Sequence, residues 1–124
     1  METTKERAKR IRVELKERYP DCKFSVVTGY ASLMSEITVS LMSAPRKPYT
    51  GSEHWSDGQA QLNEYVLVRN KWDDDNGLCN GVHLERWAWD MLSAIANSYG
   101  CFGSRHTFFH LQIGKWNKHF EVKA

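Results

Sequence analysis

The chain has 124 residues, of which 41% are hydrophobic and 26% charged, proportions typical of a single folded domain spanning residues 1–124. Its 12% aromatic content excludes global disorder. No apolar run approaches the ~20 residues that cross a bilayer, and the charged N-terminal segment does not resemble a secretory signal. We therefore expect a cytoplasmic protein with three reduced cysteines.

The first predicted element is an amphipathic helix over residues 4–19. Thr3 and Glu6 have the spacing of a capping box, and Pro20 follows the end of the helix. Apolar side chains recur at three- and four-residue steps and form one stripe: Ala8, Ile11, Leu15 and Tyr19.

The net charge of the chain is +2, and the positive excess lies in residues 1–23, which carry eight Lys and Arg against five acids. This excess is far below that of a dedicated nucleic-acid-binding protein. Interspersed charges on a helix are typical of a solvated face. The alternative is a basic surface for phosphate or an acidic partner, with Arg7 and Arg10 as its candidate residues.

Two strands are predicted next, over residues 23–28 and 36–42. In the second, Ile37, Val39 and Leu41 alternate with Thr38 and Ser40, which indicates a half-buried strand. The link at residues 29–35 predicts a hairpin with a longer loop.

Residues 43–60 contain two prolines and two glycines and are predicted to be irregular. For residues 62–68 a strand is favoured over a short helix. Residues 71–77 read as a solvated acidic turn, because three consecutive aspartates lack the ligand spacing of a calcium loop.

The second helix is predicted over residues 82–99, with Gly100 as its C-terminal signal. Trp87 lies on its apolar stripe, whereas Trp89 points away and either meets another layer or is exposed. A strand over 107–113, a turn over 114–118 and a last strand over 119–122 complete the chain.

The predicted fold is α+β: an antiparallel sheet of about four to five strands with two helices packed on it. The predicted order of elements is α-β-β-(β)-α-β-β.

Cysteine and histidine spacings permit a metal site but do not require one. Cys79 and His83 are four residues apart, as are His106 and His110, with Cys101 nearby. The chain has no CxxC, HExxH, GxSxG or phosphate-binding glycine motif. We expect no metal, no cofactor and no enzymatic activity.

Candidate partner-binding residues lie in the 43–60 segment and in the last turn. Arg, Tyr and Trp are favoured anchors of protein interfaces, and Pro45 and Pro48 limit the freedom lost on binding. Tryptophans folded onto the sheet as lids are the competing interpretation. The candidates are Arg46, Lys47, Tyr49, Trp55 and Trp116.

The opening of the chain is similar to a known family. Residues 8–20 read AKRIRVELKERYP and residues 22–26 read CKFSV, followed by the Ile-Thr-Val of a strand at 37–39. This order resembles one of the large polyvalent-protein-associated domains, in which an AKxIRxxL helix leads to (F/Y)PxxKFSVR and an Ile-x-Val strand. Val27 stands where that family often has a basic residue. The segment FFHLQIGKW at 108–116 is similar to an ending of the same group.

The resemblance implies a context rather than a reaction. Such domains occur in phages, plasmids and conjugative elements and are suspected of shielding the incoming element from host defences. It implies an accessory protein that acts in a bacterial host as a non-enzymatic inhibitor of a defence protein, such as a CRISPR effector, by protein contact. The alternative is a small nucleic-acid-binding module that uses the basic first helix and aromatic strands. A metal-dependent enzyme ranks third.

Overall fold

A computed structural model describes residues 2–31, 34–100 and 107–123 and shows an α+β fold, as predicted. The helices are α1 (Thr4–Arg18), α2 (Glu64–Arg69) and α3 (Arg86–Tyr99), and a 3-10 turn spans Trp72–Asp74. The strands are β1 (Lys23–Ala31), β2 (Met34–Ala44), β3 (Tyr49–Ser52), β4 (Ala60–Gln61), β5 (Leu78–Cys79), β6 (Val82–Leu84), β7 (Thr107–Ile113) and β8 (Glu121–Val122).

The predicted first helix is confirmed, together with its capping box. The Thr3 hydroxyl accepts a hydrogen bond from the Glu6 N–H at 3.1 Å, and the Glu6 carboxylate accepts one from the Thr3 N–H at 3.4 Å. Ala8, Ile11 and Leu15 are buried, and α1 packs mainly on β1. The apolar stripe is therefore part of the core.

The main sheet has the strand order β1-β2-β7-β4, with β8 beside β2. The expectation of an antiparallel sheet is wrong for its centre, because β2 pairs with β7 and with β8 in parallel. The chain between β2 and β7 includes α2 and α3, which gives the long crossover that a parallel pair needs. Because β2 lies between neighbours, Ser40 is buried and accepts a hydrogen bond from Gln112 Nε2 at 2.8 Å.

The predicted loop between β1 and β2 is too long. Both strands extend beyond their predicted ends, and their pairing continues to Ala31 and Met34. Regular hairpin pairing therefore includes most of residues 29–35.

The 43–60 segment is more regular than predicted. Its first two residues belong to β2, and β3 joins β6 and β5 in a second, three-stranded sheet. Strand β6 takes residues that were predicted to open the second helix, which instead begins at Arg86. The Glu85 N–H donates to the Pro48 carbonyl at 2.8 Å and holds this connection beside the β2–β3 link.

The preferred strand over 62–68 is wrong, because helix α2 occupies most of it. Asn63 caps this helix, since its Oδ1 accepts hydrogen bonds from the N–H groups of Tyr65 and Val66 at 3.0 and 3.3 Å. Helix α2 packs on α3, where Trp89 is only 4% exposed. Trp87, expected in the core, is half-buried at its edge.

The predicted turn at 114–118 is confirmed and holds the last part of the chain against the middle. Gly114 has a φ of +65°, and a Cβ there would lie 2.0 Å from the Gly58 carbonyl oxygen. That carbonyl accepts a hydrogen bond from the Phe120 N–H at 2.7 Å. Only glycine fits at 114 without moving this junction. The last strand, β8, is shorter than predicted.

In the described part of the chain, no helix combines the length and apolar character that a bilayer crossing requires.

Candidate functional site

A groove of about 530 Å³ opens where three parts of the chain meet. One wall is the end of α1 and the turn after it, residues 18–22, and the opposite wall is Pro45 and Arg46 after β2. Helix α3 contributes Trp87, Asp90 and Met91. We call this surface the arginine–aromatic groove.

Two arginines of this groove lie over aromatic rings. The Arg46 Cζ is 5.1 Å from the centre of the Trp87 ring, and the Arg18 Cζ is 5.4 Å from the centre of the Tyr19 ring. Within the described residues, Arg46 has no hydrogen-bond or ion-pair partner. Stacking on a ring fixes the plane of a guanidinium while its N–H groups remain available to a partner.

The groove also contains sulfur atoms and carboxylates. The Cys22 thiol lies 4.0 Å from the Met91 sulfur. Burial, with a smaller contribution from the Asp21 carboxylate, raises the pKa of Cys22, so this thiol stays protonated at neutral pH. Asp21 and Asp90 place negative charge near the two arginines. The arginine–aromatic groove therefore combines charges of both signs with apolar surface.

Of the candidate interface residues, Arg46 alone lines this groove. Tyr49 is 7% exposed, and its hydroxyl donates to Asp57 Oδ1 at 2.5 Å and accepts from the Gly58 N–H at 2.6 Å. Burial, followed by the bond to Asp57, raises the pKa of Tyr49 to about 12. Lys47 lies over the Tyr49 ring at 4.8 Å and pairs with Asp57 at 3.4 Å. Tyr49 therefore holds the segment together internally.

The two candidate tryptophans differ in exposure. Trp55 is half-buried against the core, and its Nε1 donates to the Asn80 carbonyl at 2.9 Å. Trp116 is 83% exposed on the turn closed by Lys115 and Lys118. Trp55 therefore fits the lid interpretation, while Trp116 is free to meet a partner.

The alternative nucleic-acid face is partly occupied by internal contacts. Arg7 donates to the Tyr99 carbonyl, which joins α1 to the end of α3. Arg10 binds the carboxylates of Glu2 and Glu14 at 2.8 and 3.2 Å. Both guanidinium groups already have acceptors.

The metal hypothesis gains no support from the described residues, which contain no cluster of three suitable ligands. Cys79 is buried, and burial raises its pKa to about 11. His83 faces Glu53 at 3.8 Å, and His110 Nε2 lies 3.1 Å from Glu36 Oε2 on the outer face of the sheet. His106 and Cys101 lie outside the described residues.

Most residues of the arginine–aromatic groove could not be predicted from the sequence. Arg18 ends α1, Cys22 lies in the turn after it, and Asp90 and Met91 belong to α3, so no spacing along the chain predicts that they meet. The sequence signal that could have pointed to the groove is a pair of prolines. Pro20 follows the end of α1 and Pro45 follows the end of β2, and both line the groove.

The sequence model of one protein family, described as large polyvalent protein associated domain 29, matches residues 2–87. The chain belongs to this family. The match extends past the first 42 residues, ends at Trp87 and leaves out the 108–116 segment, where a looser likeness was expected. Membership of the family of large polyvalent protein associated domain 29 suggests an association with phages or mobile elements. No curated protein and no solved structure is significantly similar to the chain.

Both arginine–aromatic stacks lie within the part that matches large polyvalent protein associated domain 29. Asp90, Met91 and strand β7 follow it. The groove is thus built from matched residues on two walls and is completed by helix α3.

Proposed function

We propose that this protein acts for a phage or mobile element by binding and inhibiting a bacterial defence protein, such as a CRISPR effector. The inhibition is by protein contact and involves no reaction. The proposed contact surface is the arginine–aromatic groove, together with the exposed Trp116 on the C-terminal turn.

The observation that carries this proposal is the stack of Arg46 on Trp87 at an open groove of about 530 Å³. Arginine and tryptophan are enriched among the residues that dominate binding energy at interfaces. An arginine already fixed on a ring loses less side-chain entropy when a partner binds. Met91 and Tyr19 add apolar area of the kind that fills interface cores.

A non-enzymatic mode is favoured by the state of the two described thiols. Burial raises the pKa of both Cys22 and Cys79, which lowers the thiolate fraction that nucleophilic catalysis needs. Nucleic-acid binding through Arg7 and Arg10 is disfavoured, since both side chains would have to give up internal partners before they could reach phosphate.

The proposal is tested by phage plaque counts on a bacterial host whose CRISPR effector targets that phage. Expression of the chain is expected to raise the counts, and Arg46→Glu is expected to abolish the increase. Arg69→Glu is the matched control, because Arg69 also lies over an aromatic ring, Tyr65 at 5.4 Å, but outside the groove.

The outcomes separate the target from the surface. Plaque counts that the wild-type chain does not change would exclude that effector as its target. Full protection by folded Arg46→Glu, combined with failure of Arg7→Glu with Arg10→Glu, would move the contact surface from the groove to α1. Trp116→Ala tests the turn separately and is not expected to affect folding, since that side chain is exposed.

A further inference from the structure

A second groove, of about 340 Å³, lies on the other side of the turn that follows α1. It runs between the C-terminal half of α1 and the start of β1, and it shares Pro20 and Cys22 with the arginine–aromatic groove. The two grooves are therefore neighbouring parts of one surface. We call the second one the basic groove.

The charged residues that line the basic groove are all cations: Arg12, Lys16 and Lys23. Among the described residues, none of the three takes part in an ion pair. Arg12 and Lys16 are four residues apart on α1, where like charges repel each other. An anion bound between them would relieve this repulsion.

Arg12 is held in place by a neutral group. Its Nε and Nη2 both donate to the Val26 carbonyl, at 3.1 and 2.7 Å. This fixes the guanidinium at the edge of β1 but leaves its positive charge without a counter-charge. Because the Arg12 side chain is already held in place, it loses less conformational entropy when a carboxylate binds to it.

The rest of the basic groove is apolar. Leu15 is buried beneath it, and Phe24 is half-buried with its ring 6.1 Å from that of Tyr19 at an angle of 52°. The sugar–phosphate backbone of a nucleic acid gains little binding energy from such an apolar surface. In the adjoining arginine–aromatic groove it would also meet the carboxylates of Asp21 and Asp90. A peptide with acidic residues beside an apolar side chain is complementary both to the cations and to the apolar surface of the basic groove.

We infer that the basic groove binds an acidic segment of the partner protein, with an apolar side chain of that segment placed against Phe24. Past Pro20 and Cys22 the segment continues into the arginine–aromatic groove, where the carboxylates of Asp21 and Asp90 favour residues without negative charge. This inference rests on the proposed function, because it specifies the chemistry of the partner that the same surface binds.

The test measures binding of the full chain to a fluorescent random copolymer of glutamate and tyrosine by anisotropy. Saturable binding that weakens with added salt is expected. Lys16→Gln with Lys23→Gln should weaken it about tenfold, the effect of losing two surface ion pairs. Lys115→Gln with Lys118→Gln removes the same charge from the exposed C-terminal turn and should leave binding unchanged.

Three results would overturn the inference: no binding of the copolymer, equal binding by the Lys16 and Lys23 variant, or tighter binding of an oligothymidylate of similar charge. The last result would assign the groove to nucleic acid. A chain that raises plaque counts but fails to bind the copolymer refutes only this inference. A chain that binds the copolymer through Lys16 and Lys23 but does not raise plaque counts contradicts the proposed inhibition of that effector and leaves the assignment of the basic groove standing.

Discussion

The Tyr49 hydroxyl connects two neighbouring groups, the Asp57 carboxylate and the Gly58 N–H. Tyr49→Phe removes the acceptor of the buried Gly58 N–H and the donor to Asp57. An unsatisfied buried N–H costs about 1–3 kcal/mol, so the free energy of unfolding in urea should fall by that amount. Tyr30→Phe, at a tyrosine that is 74% exposed, should change it by less than about 0.5 kcal/mol. Equal losses would show that the Tyr49 hydroxyl adds nothing.

The same hydroxyl predicts a pH dependence. Its pKa is raised to about 12 in the fold, whereas an unfolded tyrosine has a pKa of about 10. Between these values the unfolded chain loses the proton first, so the stabilising contribution is complete below pH ~10 and is lost as the pH rises towards 12. Urea midpoints measured from pH 9 to 12 should fall more steeply in the wild type than in Tyr49→Phe. Parallel curves would contradict the prediction.

For single residues, the sequence indicates which side chains suit an interface better than it indicates where they lie in the fold. Arg46 was singled out for its type, and it lies in the groove. The apolar stripe predicts Trp87 in the core and leaves Trp89 either against another layer or exposed, whereas the structure half-buries Trp87 and buries Trp89, because α3 has apolar side chains on more than one face. Helix α2 packs on α3, where Trp89 is buried, and a helix over 62–68 is the alternative that the sequence does not favour. Which stripe is buried depends on a layer supplied by another part of the chain.

Helix α1 offers a matched pair of apolar residues for testing its packing. Leu15→Ala should lower the free energy of unfolding by about 2–5 kcal/mol, because its side chain is only 1% exposed. Val13→Ala on the same helix should change it by less than about 0.5 kcal/mol, since Val13 is 51% exposed. A loss below ~0.5 kcal/mol for Leu15→Ala would mean that the stripe is not part of the core.

Helix α2 is too short to be stable by itself, so its cap should matter. Asn63→Ala removes the oxygen that accepts from the Tyr65 and Val66 N–H groups and should cost about 0.5–2 kcal/mol in thermal unfolding. Asn70→Ala, at the other end of the same helix, has no such side-chain cap bond and serves as the control. Equal costs would show that the cap geometry is unimportant.

Elements with long periodic patterns, α1, β2 and β7, could be predicted from the sequence. Two short elements, α2 and β6, could not. Six residues of α2 and three of β6 are too few to distinguish a helical from an extended period, so the sequence favours a strand over 62–68 and a helix that already begins at residue 82. The parallel pairing of β2 with β7 was missed for a different reason: alternation indicates which side chains share a face but not the direction of the neighbouring strand.

The part that matches the family does not contain the whole core. Strand β7 follows it and lies between β2 and β4, with Phe109, Leu111 and Ile113 buried. A chain ending after residue 100 should therefore show no cooperative urea transition by circular dichroism. A chain ending after residue 120 loses only the exposed β8 and should keep the transition. Cooperative unfolding of the shorter chain would show that residues 1–100 fold without β7.

The central parallel pair also affects how the chain reaches its fold. Ser40 and Gln112, partners across that pair, are 72 residues apart. A ribosome adding roughly 5–20 residues per second takes on the order of several seconds to make the intervening chain. During that interval α1, β1 and β2 can associate, but one edge of β2 lacks its neighbour and invites aggregation. Closure of the core must therefore wait until β7 has left the exit tunnel, and until then we expect the nascent chain to need protection from aggregation.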